Sequence, residues 1–117
     1  MNNRNSENTM SVKTIENAEF DTLIADSGLK LFRFWAAWCP PCRAMAPMYK
    51  QAAEIIGHNA LFGEVNVDME PELAARHQIR GIPTTVMYKD GKEITRFAGI
   101  ISVAQLVELV KSHQSVE

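Results

Sequence analysis

The chain contains 117 residues, 46% of them hydrophobic and 22% charged, with a formal net charge of −2 at pH 7. This length corresponds to one domain that can bury a hydrophobic core without a framework of disulfide bonds. Because the 12 lysine and arginine residues are scattered along the sequence, the charge pattern favours neither nucleic acid nor an anionic membrane as a partner.

The polar segment MNNRNSENTM at residues 1–10 is interpreted as a flexible leader that precedes a folded domain at residues 11–117. The leader lacks the apolar core of a secretory signal, and no segment of the chain is as long and apolar as a membrane span. We therefore expect a cytoplasmic protein. In that reducing compartment a lone pair of cysteines is more often catalytic or metal-binding than structural.

The first half of the domain predicts two helices on either side of a buried strand. An edge strand is expected around residues 12–15, and Gly28 offers a stop for the first helix. The aromatic-rich segment KLFRFWA at residues 30–36 is typical of a buried strand. The second helix should end near Gly57 and be kinked by Pro47. The two helices are indicated by apolar residues at helical spacing, namely Phe20, Leu23 and Ile24, then Met45, Met48, Ala52, Ile55 and Ile56.

The second half predicts another buried strand, a short helix and a hairpin. The strand covers residues 61–68 (LFGEVNVD), and Pro71 opens the short helix. Strands at residues 84–88 and 93–97 flank a turn that contains an Asp-Gly pair, which is typical of an antiparallel hairpin.

The last helix is indicated by a capping box formed by Ser102 and Gln105. Its buried face is predicted to contain Val103, Leu106, Val107 and Val110. Strands that alternate with covering helices predict an α/β protein, built as a three-layer α/β/α sandwich with a central mixed sheet.

Both cysteines of the chain lie in the segment WCPPC at residues 38–42, between the buried strand and the second helix. This spacing places Cys39 at the helix N-terminus and Cys42 one turn later. Their Cα atoms can then approach to about 5.5 Å, which allows a disulfide bond. The partial positive charge and free N–H groups of a helix N-terminus stabilise a thiolate. We therefore interpret the outer Cys39 as the nucleophile and Cys42 as the resolving thiol.

A structural zinc site is the main alternative for a cysteine pair of this spacing. Such a site needs four ligands, and only histidines could complete it here. None of the three has ligand-like spacing to the cysteines: His58, His77 and His113. The sequence therefore predicts no metal, and no cofactor beyond the redox-active cysteine pair.

The segment FWAAWCPPCRAMAP resembles the active-site segment of the thioredoxin family, whose usual form is W-C-G-P-C. The resemblance extends from about residue 20 to residue 110. It includes RGIPT at residues 80–84, the Asp-Gly hairpin, Pro47, Asp68 and Gly99. It implies the thioredoxin fold and reversible dithiol–disulfide exchange with protein substrates.

The resemblance also implies a substrate groove beside the cysteines. Pro83 would be a cis-proline that faces the disulfide, and the backbone of Ile82 would then pair with an extended substrate strand. The resemblance places Trp38 on the surface beside the nucleophile and Trp35 beneath the site, with ordinary core packing as the alternative for both. The predicted substrate-binding residues are Trp38, Pro40, Pro41, Val67, Ile82, Pro83, Gly99 and Ile100.

Two departures from the family pattern act in opposite directions. Pro40 replaces the usual glycine and stiffens the turn, which favours the disulfide and a stronger reductant. Arg33 stands where the family usually has a buried aspartate that helps to take the proton from the resolving cysteine. Because arginine does not release its proton, it would instead favour the Cys42 thiolate and make the protein more oxidising.

A third departure is Glu64, which stands where the family usually has a lysine. We interpret Arg33 and Glu64 as a charge-swapped ion pair that keeps the interior neutral. The hypothesis is that Glu64 takes over the role of proton acceptor while Arg33 holds it ionised. The alternative is that both side chains reach a solvated edge and have no role.

The leading functional hypothesis is a cytoplasmic oxidoreductase that reduces protein disulfides. The resemblance implies that a flavoprotein of the thioredoxin-reductase type recharges it. One alternative is a disulfide oxidase or isomerase, which the charge of Arg33 would favour. Another is a module that binds one partner through the groove, with incidental redox activity. Since no large apolar stripe is left unassigned, the protein is expected to be a monomer.

Overall fold

The computed structural model describes residues 11–114, so the predicted leader at residues 1–10 lies outside the described residues. Within these residues, five strands and four α-helices follow one another in the predicted order. The strands are β1 (Lys13–Thr14), β2 (Leu29–Trp35), β3 (Ala60–Asn66), β4 (Thr84–Lys89) and β5 (Lys92–Ala98). The helices are α1 (Asn17–Ala25), α2 (Pro40–Ile56), α3 (Pro71–Arg76) and α4 (Val103–His113), with a short 3₁₀ turn at Gly57–Asn59.

The strands form one mixed sheet in the order β1-β3-β2-β4-β5. The neighbours of β3 are parallel to it, whereas β4 is antiparallel to both β2 and β5. Strand β2 lies at the centre and is buried on both faces, as its largely apolar, aromatic-rich sequence predicts. The carboxyl end of this central strand leads directly to the cysteine pair.

The two faces of the sheet are covered by different helices. Helices α2 and α4 pack on one face, with Met45 and Leu106 fully buried among the strand residues there. Helices α1 and α3 cover the opposite face, where Phe20 and Leu73 are fully buried. The predicted three-layer α/β/α architecture is therefore confirmed.

Helix α2 carries the cysteines and is a single helix of 17 residues. Cys39 is its N-cap and Gly57 its C-cap, at a positive φ of 64° that suits glycine. Pro47 lies inside the helix without ending it. The helix therefore runs from the active-site turn to its predicted end.

Two boundaries differ from the prediction by more than one residue, for local reasons. Helix α1 ends at Ala25, before the predicted stop, because Asp26 is already extended. Gly28 instead serves a turn, with a φ of 98° and its N–H donated to Asp90 at 2.7 Å. Strand β3 ends at Asn66, whose side-chain oxygen accepts from the backbone N–H of the second residue after it. This Asx-type turn bends the chain before it reaches residue 68.

The predicted capping box of α4 is present. The hydroxyl oxygen of Ser102 accepts from the backbone N–H of Gln105 at 3.1 Å, and the Gln105 side chain accepts from the backbone N–H of Ser102 at 2.9 Å. Within residues 11–114, no helix combines the length and the apolar character needed to cross a membrane.

Candidate active site

The cysteine pair lies where the central strand meets the covering helix α2. Cys39 caps the helix and is 4% exposed, whereas Cys42 in the first turn is fully buried. The two are joined by a disulfide bond with a Cα–Cα distance of 5.2 Å. The outer cysteine is thus the one that an incoming sulfur atom can reach first.

The two prolines decide which N–H group faces the sulfur of Cys39. Pro40 and Pro41 occupy the first two positions of the helix and have no N–H to donate. The backbone N–H of Cys42 is therefore the first amide donor of the helix, and it lies 3.3 Å from the Cys39 sulfur. This contact and the helix N-terminus together favour a negative charge on that sulfur.

A loop on the other side of the cysteines completes the surface. The sulfur of Cys39 lies 3.8 Å from the main-chain carbonyl oxygen of Ile82, and the Ile82–Pro83 peptide bond is cis. The side chains of Val67 and Ile82 pack against the buried cysteines. A main-chain carbonyl and an apolar wall therefore border the reactive sulfur.

Gly99 and Ile100 extend this surface. The N–H of Gly99 donates to the carbonyl oxygen of Pro83 at 2.8 Å, which ties the two loops together. Gly99 has a φ of 94°, and a Cβ placed there would meet no atom within 4 Å. Its backbone is thus open to an approaching chain, beside Ile100, which is half exposed.

The two tryptophans have different environments. Trp38 is 65% exposed, and its indole N–H donates to a carboxylate oxygen of Asp68 at 2.9 Å. Trp35 packs instead against the cluster that contains both cysteines. The structure thus places Trp38 on the surface and Trp35 beneath the site, and core packing does not describe Trp38.

Arg33 and Glu64 lie opposite each other on the paired strands β2 and β3. The Nε and Nη2 atoms of Arg33 both donate to the same carboxylate oxygen of Glu64, with an Nε–O distance of 3.0 Å. Arg33 is 1% exposed, whereas the side chain of Glu64 is 21% exposed. The predicted charge-swapped contact therefore exists, and the alternative of a solvated Arg33 is wrong.

The third donor of the guanidinium points toward the active site. Nη1 of Arg33 donates to the main-chain carbonyl oxygen of Cys42 at 2.9 Å. The rings of Trp35 and Tyr49 each lie with their centres 5.5 Å from the guanidinium carbon, within cation–π range. The buried cation is therefore held by a carboxylate, a carbonyl and two aromatic rings.

Tyr49 is an element of this cluster that sequence reasoning missed. Its hydroxyl bonds to the carbonyl oxygens of Leu31 at 3.1 Å and Gly63 at 2.8 Å. Burial, and next the negative charge of Glu64, raise the pKa of Tyr49 well above its usual value of 10.0. Tyr49 is thus neutral at physiological pH. No sequence signal beyond its place on the buried helix face indicates these contacts.

One of the three histidines considered as zinc ligands, His77, lies in an aromatic cluster. His77 packs on Phe20 with ring centres 4.7 Å apart, and its Nδ1 atom lies 3.3 Å from the hydroxyl of Tyr88. Among residues 11–114, no cluster of three or more His, Cys, Asp or Glu side chains could hold a metal ion. His77 is thus part of an aromatic cluster on the α1 face of the sheet.

Comparisons with known proteins match the fold and the site together. The family model described as Thioredoxin matches residues 11–112. The chain is 33% identical over 104 residues to a thioredoxin of Staphylococcus epidermidis, covering 89% of this chain and 99% of that protein. A thioredoxin of Staphylococcus aureus is 32% identical with the same coverage.

Solved structures give the same match. A point-mutant thioredoxin from Halobacterium salinarum NRC-1 superposes with a TM-score of 0.82 at 26% identity, covering 93% of this chain and 96% of that one. Chloroplastic thioredoxin z superposes with a TM-score of 0.80 at 30% identity, covering 86% and 92%. The likeness thus extends over most of each chain.

Proposed function

The chain belongs to the thioredoxin family and carries the cysteine pair of a thiol–disulfide oxidoreductase, and we propose that it acts as a reductant of protein disulfides. The observation that carries this proposal is the position of Cys39. It caps a helix N-terminus, lies next to an amide donor and borders the main-chain carbonyl of Ile82. These features favour attack by the Cys39 thiolate on a disulfide bond in an extended segment of a substrate protein.

The reaction begins from the dithiol form of the pair. The thiolate of Cys39 attacks one sulfur of the substrate disulfide, so a mixed disulfide forms and the other substrate sulfur leaves as a thiolate that takes up a proton. Cys42 then loses its proton to solvent, and the resulting thiolate attacks the sulfur of Cys39. The Cys39–Cys42 bond forms, the second substrate sulfur leaves and is protonated, and two electrons have passed to the substrate.

The substrate segment would lie across the surface formed by Trp38, Ile82, Pro83, Gly99 and Ile100. The main chain of Ile82 would pair with an extended strand, which would give affinity without requiring a particular sequence. Exposed apolar groups at Trp38 and Ile100 add contact area. Pro40, Pro41 and Val67 complete the apolar border of the cysteines. This surface fits disulfide-bonded proteins with an accessible, extended segment.

Each turnover leaves the disulfide form, which needs a source of two electrons. We assign this role to a flavoprotein of the thioredoxin-reductase type, the partner that the family resemblance implies. A reducing cytoplasm would keep the pair in its dithiol form, and a monomer leaves the groove open on every molecule.

One observation favours a second candidate, a disulfide oxidase or isomerase. The buried guanidinium of Arg33 donates a hydrogen bond to the main-chain carbonyl oxygen of Cys42. A nearby positive charge stabilises a thiolate. A more stable dithiol form would make the protein a better oxidant. Glu64 opposes this effect because it pairs with the same guanidinium.

Activity is tested with a disulfide-bonded protein probe such as insulin, in the presence of dithiothreitol. The wild-type chain is expected to accelerate reduction, and Cys39→Ser to abolish the acceleration. Cys42→Ser should stop the reaction at the mixed disulfide, visible as a covalent adduct that a reductant releases. If Cys39→Ser keeps the wild-type rate, the proposed role of the pair is wrong.

A further inference from the structure

Arg33 is the charged residue that joins the ion pair to the resolving cysteine. A group that contacts the carbonyl oxygen of a residue lies within a few ångströms of that residue's side chain, because the two are separated by short covalent bonds. The Nη1–oxygen distance to Cys42 is 2.9 Å. The fixed charge of Arg33 therefore contacts the main chain of the residue whose thiol must ionise in the second step.

Glu64 lies on the far side of the guanidinium. The hydrogen bonds of its side chain within the described residues are those that it accepts from Arg33. A direct proton transfer from Cys42 to Glu64 would have to pass a guanidinium that keeps its own protons at all physiological pH values. The guanidinium, and not the carboxylate, therefore contacts the main chain of Cys42.

We infer that Arg33 is a positioning residue that favours the Cys42 thiolate, and that Glu64 acts through Arg33 as the counter-ion that limits this effect. This inference replaces the hypothesis that Glu64 is the proton acceptor. It rests on the proposed function in so far as Cys42 must ionise to release the substrate. In that step Cys42 releases its proton to solvent and its thiolate forms the bond to Cys39, while neither Arg33 nor Glu64 gains or loses a proton.

The charges around Cys42 fix the expected signs. Arg33 faces it from β2, Glu64 from β3 lies behind Arg33, and Tyr49 on α2 is neutral. Removing the negative charge of Glu64 leaves the cation unopposed, so the Cys42 thiolate is more stable. Removing the positive charge of Arg33 has the opposite effect.

The first test measures the ionisation of Cys42 by thiolate absorbance in a Cys39→Ser background, where it is the sole thiol of the chain. We expect Glu64→Gln to lower the pKa of Cys42 by about one unit and Arg33→Met to raise it by a similar amount. Arg33→Lys keeps the positive charge but loses the planar guanidinium. In this variant the pKa of Cys42 should remain close to its value with Arg33.

A structural role alone predicts a different pattern. If Arg33 only braces the helix, the pKa of Cys42 will not follow the charge, and the lysine and methionine variants will behave alike. If Arg33→Met does not fold, the direction of the change in the Cys42 pKa in Glu64→Gln tests the inference. Glu64→Gln should fold, because it keeps an acceptor oxygen at a partly exposed position. An unchanged or raised pKa of Cys42 in Glu64→Gln would overturn the inference.

The second test measures how fast Cys42 resolves a preformed mixed disulfide on Cys39, below the pKa of Cys42. A one-unit fall in pKa gives about ten times more thiolate, but a less basic thiolate is a weaker nucleophile. We therefore expect Glu64→Gln to resolve about threefold faster. A proton acceptor at Glu64 predicts the opposite, a slower rate, and this result would contradict the inference.

Asp21→Asn is the matched control. It also removes a carboxylate paired with an arginine, but that pair is formed between α1 and α3 and is largely exposed. We expect wild-type ionisation and resolution rates in this variant. If the wild-type chain fails to reduce the protein probe while Cys42 ionisation still follows the charges, the proposed function fails and the role of Arg33 stands.

Discussion

The residues that tune the thiols are the prolines between them and the ion pair beneath them. Pro40 lies at the first position of α2 and fixes the turn that holds the sulfurs together. Arg33 lies under the same turn and contacts Cys42. The stiff turn favours the disulfide, and Glu64 limits how far the cation favours the dithiol. Both features are consistent with a reductant.

Pro40→Gly tests the contribution of the turn. The added flexibility lowers the free energy of the open dithiol form by about 0.4–1 kcal/mol, so the disulfide forms less readily. We expect the reduction potential to rise by about 10–20 mV, since about 30 mV corresponds to 1.4 kcal/mol. Equilibration with glutathione measures the shift.

Met48→Leu on the same helix serves as the control, because it changes an apolar side chain packed against the core and not the turn. Its potential should equal that of the wild type. A lower potential in Pro40→Gly would show that the proline does not favour the disulfide.

At the scale of elements, the order of helices and strands follows from the sequence because each has a local signal. The apolar run of β2, the capping box of α4 and the Asp-Gly turn all depend on neighbouring residues. Contacts between distant residues have no such signal. The bond from Arg33 to Cys42, and that from Trp38 to Asp68, depend on how strands and loops meet in space.

The aromatic cluster between α1, α3 and the sheet makes stability depend on pH through His77. Burial, and next the charge of Arg76, lower the pKa of His77 from its usual 6.5. The unfolded chain therefore binds a proton at a higher pH than the folded protein does. The resulting stability is present above pH 6.5 and is lost as the pH falls toward the lower folded pKa.

We expect His77→Gln to reduce the loss of unfolding free energy between about pH 7.5 and pH 5, measured by urea denaturation. His58→Gln is the control, because it removes an exposed histidine that is not part of the aromatic cluster. If the unfolding free energy of His77→Gln falls with pH as steeply as that of the wild type, His77 is not the cause of the pH dependence.

At the scale of the whole molecule, the topology brings three chain segments to one end of the sheet. The β2–α2 turn, the loop at Ile82 and the loop at Gly99 meet around the cysteines. The family resemblance predicts this assembly, whereas periodicity and spacing alone predict only the cysteine turn. The charge-swapped pair of Arg33 and Glu64 could be proposed from the sequence, but the contact between Arg33 and the main chain of Cys42 could be seen only in the structure.

The equilibrium reduction potential of the Cys39–Cys42 pair tests the proposed reducing role most directly. It can be read from tryptophan fluorescence in defined dithiothreitol buffers, because Trp35 packs against the cysteine cluster. If the charge of Arg33 is balanced by that of Glu64, the reduction potential should be about −270 mV, the level of thioredoxin. A value above about −180 mV, beyond that of protein disulfide isomerase, would contradict the account and indicate an oxidase or isomerase.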